Sequence, residues 1–243
     1  MVDIHTHLLF GVDDGPKTVE ESIEMIRDGM KLGFNEFYLT SHYNKGRFCN
    51  ENYDENYKIL QKKCEELKLG VKLHKGNEVY LDENIEKVLK EKKFNVIKRK
   101  FLLVEFSPLT PVSVGESCLK KVLKAGFVPI LAHVERYGNF RGSDLVRLRK
   151  LGVKLQVNIG GEKPRHIVRL LKEGFIDFLG SDAHGVEKRG YTAGEELKYM
   201  KKMTTFNEIK EEDKGNEKKQ PANGVFNSFF RSLLTGIKFG GDS

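Results

Sequence analysis

A seven-stranded α/β barrel of the (β/α)7, TIM-like kind is the fold class that this 243-residue sequence predicts, on two observations. Short runs rich in β-branched and aromatic residues alternate with segments of helical spacing, strand then helix, seven times over. Strict alternation implies a parallel sheet covered by helices, either open and doubly wound or closed into a barrel. The second observation decides between them: residues able to hold a metal follow the first, second, third, fourth, fifth and seventh runs. An open sheet gathers function at a switch point served by two or three strands, whereas a barrel collects side chains from strand ends around one mouth.

The strand runs are 2–5, 36–40, 71–75, 101–106, 128–132, 154–158 and 176–180. Helical spacing covers 18–31, 51–69, 84–92, 116–125, 143–151, 164–173 and 192–203. The first helix is the clearest, because Thr18 and Glu21 make a capping box, Ile23, Ile26 and Met30 share one face, and Gly33 can end it. These elements assign residues 1–203 to the barrel. From 204 to 243 the composition changes: 208–219 reads as a polar, mixed-charge linker. Beyond it, Phe226, Phe229, Phe230, Leu233, Leu234 and Ile237 form one stripe of an amphipathic C-terminal helix, expected to pack on the barrel.

Bulk properties narrow the function. With 39% hydrophobic residues the chain can bury a full-sized core. The net charge of +7 suits an anionic substrate, but the densest basic group, Lys87 to Lys100, is interleaved with Glu83, Glu86 and Glu91. That pattern reads as a solvated helix face, so no nucleic-acid partner is expected. Cys49, Cys64 and Cys118 are odd in number and far apart, which indicates neither a disulfide framework nor a thiolate zinc site and favours a reducing cytoplasm. No apolar run approaches the roughly 18 residues that span a bilayer, so neither membrane insertion nor a signal peptide is expected.

Five of the seven histidines, His5, His7, His42, His133 and His184, sit at or just beyond strand ends. His5 and His7 are two apart on a strand and so point to the same side. His74 and His166 are read as ordinary structural or surface residues. Four carboxylates follow the same pattern: Asp14, Glu78, Glu105 and Asp182. Nine nitrogen and oxygen donors exceed the needs of one ion, and a carboxylate such as Glu78 can bridge two, so two or three metals are expected. Imidazole mixed with carboxylate, without thiolate, favours Mn²⁺, Fe or Zn²⁺ over Ca²⁺.

The run MVDIHTHLLFGVDDGP at 1–16, TSH at 40–42, GNEVY at 76–80, HVERY at 133–137 and GSDAH at 180–184 together resemble the polymerase-and-histidinol-phosphatase (PHP) superfamily. More narrowly, they resemble its bacterial manganese-dependent tyrosine-protein phosphatases of capsule and exopolysaccharide operons. The likeness spans about residues 1 to 200, in order. It implies the PHP fold, a distorted seven-stranded barrel with three ions, Mn²⁺ first among them, at the C-terminal mouth. By that likeness His5, His7, Glu78 and Asp182 hold one ion, a bridging Glu78 with Glu105 and His133 a second, and Asp14, His42 and His184 a third. It also implies a phosphotyrosine-containing protein as partner, namely a tyrosine autokinase that regulates polysaccharide export. Departing from the pattern, the chain has no Asn-Pro after Asp182, and its 158–165 loop is short.

Paired ions lower the pKa of a bridging water and neutralise phosphate oxygens, so a metal-bound hydroxide is the expected nucleophile. Arg136, three residues after His133, can offer a planar fork to phosphate, and Lys45 and Arg47 in the loop after His42 are further candidate substrate contacts. Asp13 and Glu135 adjoin ligands and are expected to cap, pair or support them. A cysteine phosphatase needs Arg six positions after its Cys, but Glu55, Gly70 and Lys124 stand there. Walker, nucleophile-elbow and dinucleotide fingerprints are absent as well. Two alternatives fit the donor set: a histidinol-phosphate or other small-molecule phosphoesterase, and a non-catalytic metal-binding interaction module.

Overall fold

Each of the seven strand runs forms a strand in the computed structural model, which describes residues 1–186, 189–192 and 194. The strands are β1 (Val2–Thr6), β2 (Glu36–Leu39), β3 (His42–Tyr43), β4 (Lys72–Lys75), β5 (Glu78–Tyr80), β6 (Phe101–Glu105), β7 (Val128–Leu131), β8 (Lys154–Asn158) and β9 (Phe178–Gly180). Among the described residues six helices accompany them: α1 (Val19–Lys31), α2 (Tyr53–Glu66), α3 (Ile85–Glu91), α4 (Val112–Lys124), α5 (Gly142–Lys150) and α6 (Arg165–Lys172). A short 3-10 turn covers Val134–Arg136. The expected helix at 192–203, the linker and the apolar stripe lie outside the described residues.

All strand pairs are parallel, in a three-stranded sheet ordered β1-β2-β4 and a six-stranded sheet ordered β3-β5-β6-β7-β8-β9. The extra strands β3 and β5 correct the sequence reading, which expected loops there. Both follow a break at the same level, after Leu39 and after Lys75. The backbone groups freed by the breaks are satisfied from the side: the Tyr53 hydroxyl donates to Leu39 O (2.6 Å) and accepts from Gly76 N (3.2 Å). Asn77 Nδ2 donates to Ser41 O (2.8 Å). Beyond the breaks the chains pair again, with His42 opposite Glu78. At the other end β1 meets the segment after β9, through His7 N to Ala183 O (2.9 Å) and Asp182 N to His5 O (2.8 Å).

Helix α1 forms as its pattern predicts, burying Ile23, Met25, Ile26 and Gly29. Thr18 caps it by accepting from Glu21 N, but the Glu21 carboxylate accepts from Lys17 N (2.6 Å) instead of closing the reciprocal box. Helix α4 begins four residues earlier than expected. Pro111 occupies its N-cap, and Gly115 inside the first turns is a contact residue, since a Cβ there would lie 2.9 Å from Phe140 and 3.0 Å from Phe106. The helices and sheets enclose one apolar core that includes Leu39, Val79, Leu102, Val104, Leu131, Leu155 and Leu179.

Gly180 ends β9 against β1, where a Cβ would stand 2.6 Å from His5 Cβ and 3.2 Å from Gln156 Nε2. Gly180→Ala is therefore expected to destabilise the protein by about 1–3 kcal/mol through overpacking. Urea unfolding checks it: a lowered midpoint with unchanged slope is expected, and a wild-type midpoint would contradict it.

Candidate metal centre

The strand ends bring all nine predicted donors to one place. His5, His7, Glu78 and Asp182 form the deepest group, all buried. His5 Nε2 lies 3.4 Å from Glu78 Oε2 and 3.3 Å from Asp182 Oδ1, His7 Nε2 lies 3.4 and 3.5 Å from the same atoms, and the two nitrogens are 3.3 Å apart. Five of the six edges of this group are thus 3.3–3.5 Å, and a regular tetrahedron with such edges has its centre about 2.1 Å from each corner, the distance at which imidazole and carboxylate hold a first-row divalent ion. Glu78 Oε2 and Asp182 Oδ1 are moreover buried with no hydrogen-bond partner, a costly condition that a cation at that centre relieves. The residues present therefore fit a metal.

A second group joins His42, Glu78 and Glu105. His42 Nδ1 is 3.1 Å from Glu78 Oε2 and 3.3 Å from Glu105 Oε1, while His133 Nε2 is 3.0 Å from Glu78 Oε1 and 3.6 Å from Glu105 Oε2. The third comprises His7, Asp14, His42 and His184. Asp14 Oδ1 there lies 3.5 Å from His42 Nε2 and 3.6 Å from His184 Nε2. His42 thus stands between the second and third groups, and a neutral imidazole, having one free lone pair, can serve only one of them at a time. Beside the third group opens a cleft of about 580 Å³ lined by Asp14, Pro16, Glu24, His184, Val186 and Arg189.

Hydrogen bonds behind the donors fix their orientation. His7 Nδ1 bonds Asp13 Oδ2 (2.8 Å), which also accepts from His42 N (2.9 Å). His5 Nδ1 meets Gln156 Oε1 (3.1 Å), which accepts from His133 N (2.8 Å). Asn158 Nδ2 donates to Asp182 Oδ2 (3.0 Å), and Glu135 Oε1 accepts from Asn158 N (3.1 Å). Gln156 and Asn158 were missed in the sequence, although their spacing of two on β8 puts both on the inner face. Arg136 and Arg189 both donate to Asp182 Oδ2. Nothing in the sequence around Arg189 marks it. Lys45 Nζ instead bonds Glu91 (2.7 and 2.9 Å), Arg47 lies 4.9 Å over the Phe48 ring, and His74 pairs with Glu36 (2.8 Å).

Among the protein groups alone, burial works against the charges of His7, His42, Glu78, Glu105, His133 and Asp182. The Asp13 carboxylate nevertheless lifts His7 to about 9, and Glu105 and Glu78 lift His42 to about 11 and His133 to about 10. His184 goes the other way, pushed down to about 2 by burial and by the neighbouring His7. The surrounding imidazoles hold the Glu78 and Asp182 carboxylates below their usual range despite burial.

Residues 1–216 match the family model described as capsular polysaccharide synthesis, CpsB/CapC. The chain belongs to the CpsB/CapC family. It is 30% identical over 206 residues to the tyrosine-protein phosphatase CpsB of Streptococcus agalactiae serotype III, covering 78% of this chain and 85% of that one. To the tyrosine-protein phosphatase YwqE of Bacillus subtilis it is 28% identical over 214 residues, covering 83% and 84%. Among solved structures it resembles those of YwqE from Bacillus subtilis and CpsB from Streptococcus pneumoniae, described as metal-dependent tyrosine phosphatases. That match has a TM-score of 0.71 at 27% identity and covers 79% of this chain and 82% of that chain.

Asp13→Asn keeps the size of the side chain but removes the charge that orients His7. In this CpsB/CapC member it is expected to weaken Mn²⁺ binding about 10- to 100-fold without unfolding the protein. Calorimetric titration on the chelated protein measures this, and unchanged affinity would refute a supporting role for Asp13.

Proposed function

We propose that the chain is a metal-dependent protein-tyrosine phosphatase that hydrolyses phosphotyrosine in a protein substrate. The observation that carries this reading is the buried donor group at tetrahedral spacing, with two guanidinium groups beside it at the mouth. Bound ions at the Glu78-centred groups supply charge to phosphate oxygens and lower the pKa of water. The chain's own residues supply position. Arg136 and Arg189 converge on the Asp182 oxygen that faces away from the donor group, where each can turn a planar fork to a phosphate. The cleft between Asp14 and Arg189 leaves space for an aryl ring. A phenolate, of parent pKa about 10, leaves with less protonic help than an alkoxide.

The reading includes three Mn²⁺ ions, supported by three donor groups and their mixed imidazole and carboxylate chemistry. It includes a tyrosine autokinase as substrate, supported by the capsular-polysaccharide family. A reducing compartment such as the cytoplasm is supported by three free cysteines, and no helix of the described residues is long and apolar enough to cross a membrane. It also takes β2 with β3, and β4 with β5, as single strands broken once. With the β1 to β9 tie, this pairing supports reading the fold as a distorted seven-stranded barrel.

Chelation should abolish hydrolysis of an aryl phosphate and Mn²⁺ should restore it, while His5→Ala or Asp182→Ala should remove it for good. Full activity after exhaustive chelation would sink the mechanism. A second consequence concerns protons. His7, His42 and His133, with pKa values near 9, 11 and 10, are protonated at pH 7 when no ion is bound, and a coordinating nitrogen must be neutral. Adding Mn²⁺ to the chelated protein in weak buffer at pH 7 should therefore acidify the solution, and apparent affinity should fall as pH falls. Proton-neutral, pH-independent binding would show that these imidazoles carry no proton for an ion to displace.

A further inference from the structure

One buried carboxylate takes no part in the donor cluster. Asp3, on β1 two residues before His5, is fully buried. Its Oδ1 accepts from His5 N (3.2 Å) and Ser181 N (3.0 Å), and its Oδ2 accepts from the Tyr191 hydroxyl (3.0 Å). Such bonds are what make a carboxylate tenable at that depth. The Tyr191 ring reaches Asp3 past α1 and β2. Its centroid lies 5.9 Å from that of Phe34 and 6.4 Å from that of Phe37, and α1 carries Gly29 at the crossing, where a Cβ would come within 2.9 Å of Tyr191 Cζ.

Two residues before Tyr191 is Arg189. Its guanidinium bonds Asp182 Oδ2 (2.8 Å), and its carbonyl accepts from His184 N (2.9 Å). Arg189 adopts a left-handed φ of 54°, a conformation that a non-glycine residue keeps only when its surroundings impose it. Gly190 follows because a Cβ would meet Val186 O at 2.8 Å. The strap from Arg189 to Tyr191 is thus pinned at one end to the donor loop and at the other to Asp3.

We propose that Tyr191 is a positioning residue: through its hydroxyl bond to Asp3 it holds Arg189 at the mouth and so sets how tightly the phosphate of the substrate is bound. This rests on the phosphatase reading, with Arg189 as a phosphate ligand. An unanchored arginine loses its rotamer freedom when it grips phosphate, whereas an anchored one has lost it beforehand.

The test is steady-state hydrolysis of a phosphotyrosine peptide by the Mn²⁺-loaded full chain as wild type, Tyr191→Phe, Arg189→Ala and the double variant, with metal content measured for each. Tyr191→Phe keeps the ring and removes the hydroxyl. It is expected to raise KM about tenfold, with kcat within about twofold of wild type and metal content unchanged. In the Arg189→Ala background, where KM is already raised, the same change should add nothing, because the two residues act as one unit. A wild-type KM for Tyr191→Phe, or a penalty that multiplies with that of Arg189→Ala, overturns the proposal in favour of plain structural support. An unchanged KM for Arg189→Ala overturns it together with that arginine's part in phosphate binding. An inactive wild-type chain overturns the phosphatase reading itself, a result distinct from these.

Discussion

Everything at the mouth is organised around one carboxylate taken out of water. Glu78 is 1% exposed, and its Oε2 lies 3.4 Å from the Nε2 atoms of His5 and His7 and 3.1 Å from His42 Nδ1, with Oε1 3.0 Å from His133. An ionised carboxylate at that depth costs several kcal/mol unless positive charge surrounds it. Four imidazoles from three strand ends meet this need, either by carrying protons themselves or by holding ions. The burial that makes Glu78 expensive also strengthens its attraction for a cation, since opposite charges attract more in a low dielectric.

The broken strands follow from the same requirement. An unbroken β2 and β4 would continue their ladder past the mouth, whereas the breaks after Leu39 and Lys75 allow His42 and Glu78 to pair anew. Breaking a parallel ladder inside a protein exposes backbone groups that water cannot reach. Tyr53 and Asn77 take their place, which is why a tyrosine from α2 is completely enclosed beneath the site.

Strain gathers at the same spot. His133 at φ 33° and Asp182 at φ 54° are both non-glycine residues in left-handed conformation, and both present donors to the cluster. Such conformations cost about 1–3 kcal/mol each. The bonds from His133 N to Gln156 and from Asp182 N to His5 O help to hold them. Strand β8 contributes no donor, yet its Gln156 and Asn158 brace His5 and Asp182 from behind.

The sequence by itself determined the candidate donor residues, seven of the nine strands, the helices that alternate with them among the described residues, and that His5 and His7 face the same side. These are local properties: a period of two on a strand, a cap before a helix, an imidazole or carboxylate where an apolar run ends. Only the tertiary structure decided that His42 stands between two donor groups, that α4 starts at Val112 against Phe106 and Phe140, and that Arg189 shares Asp182 with Arg136. It also placed Lys45 on Glu91. These outcomes depend on distances between residues far apart in the chain. Such distances are set by strand register and by which side chains fill the space between elements, and neither leaves a periodic trace in the sequence.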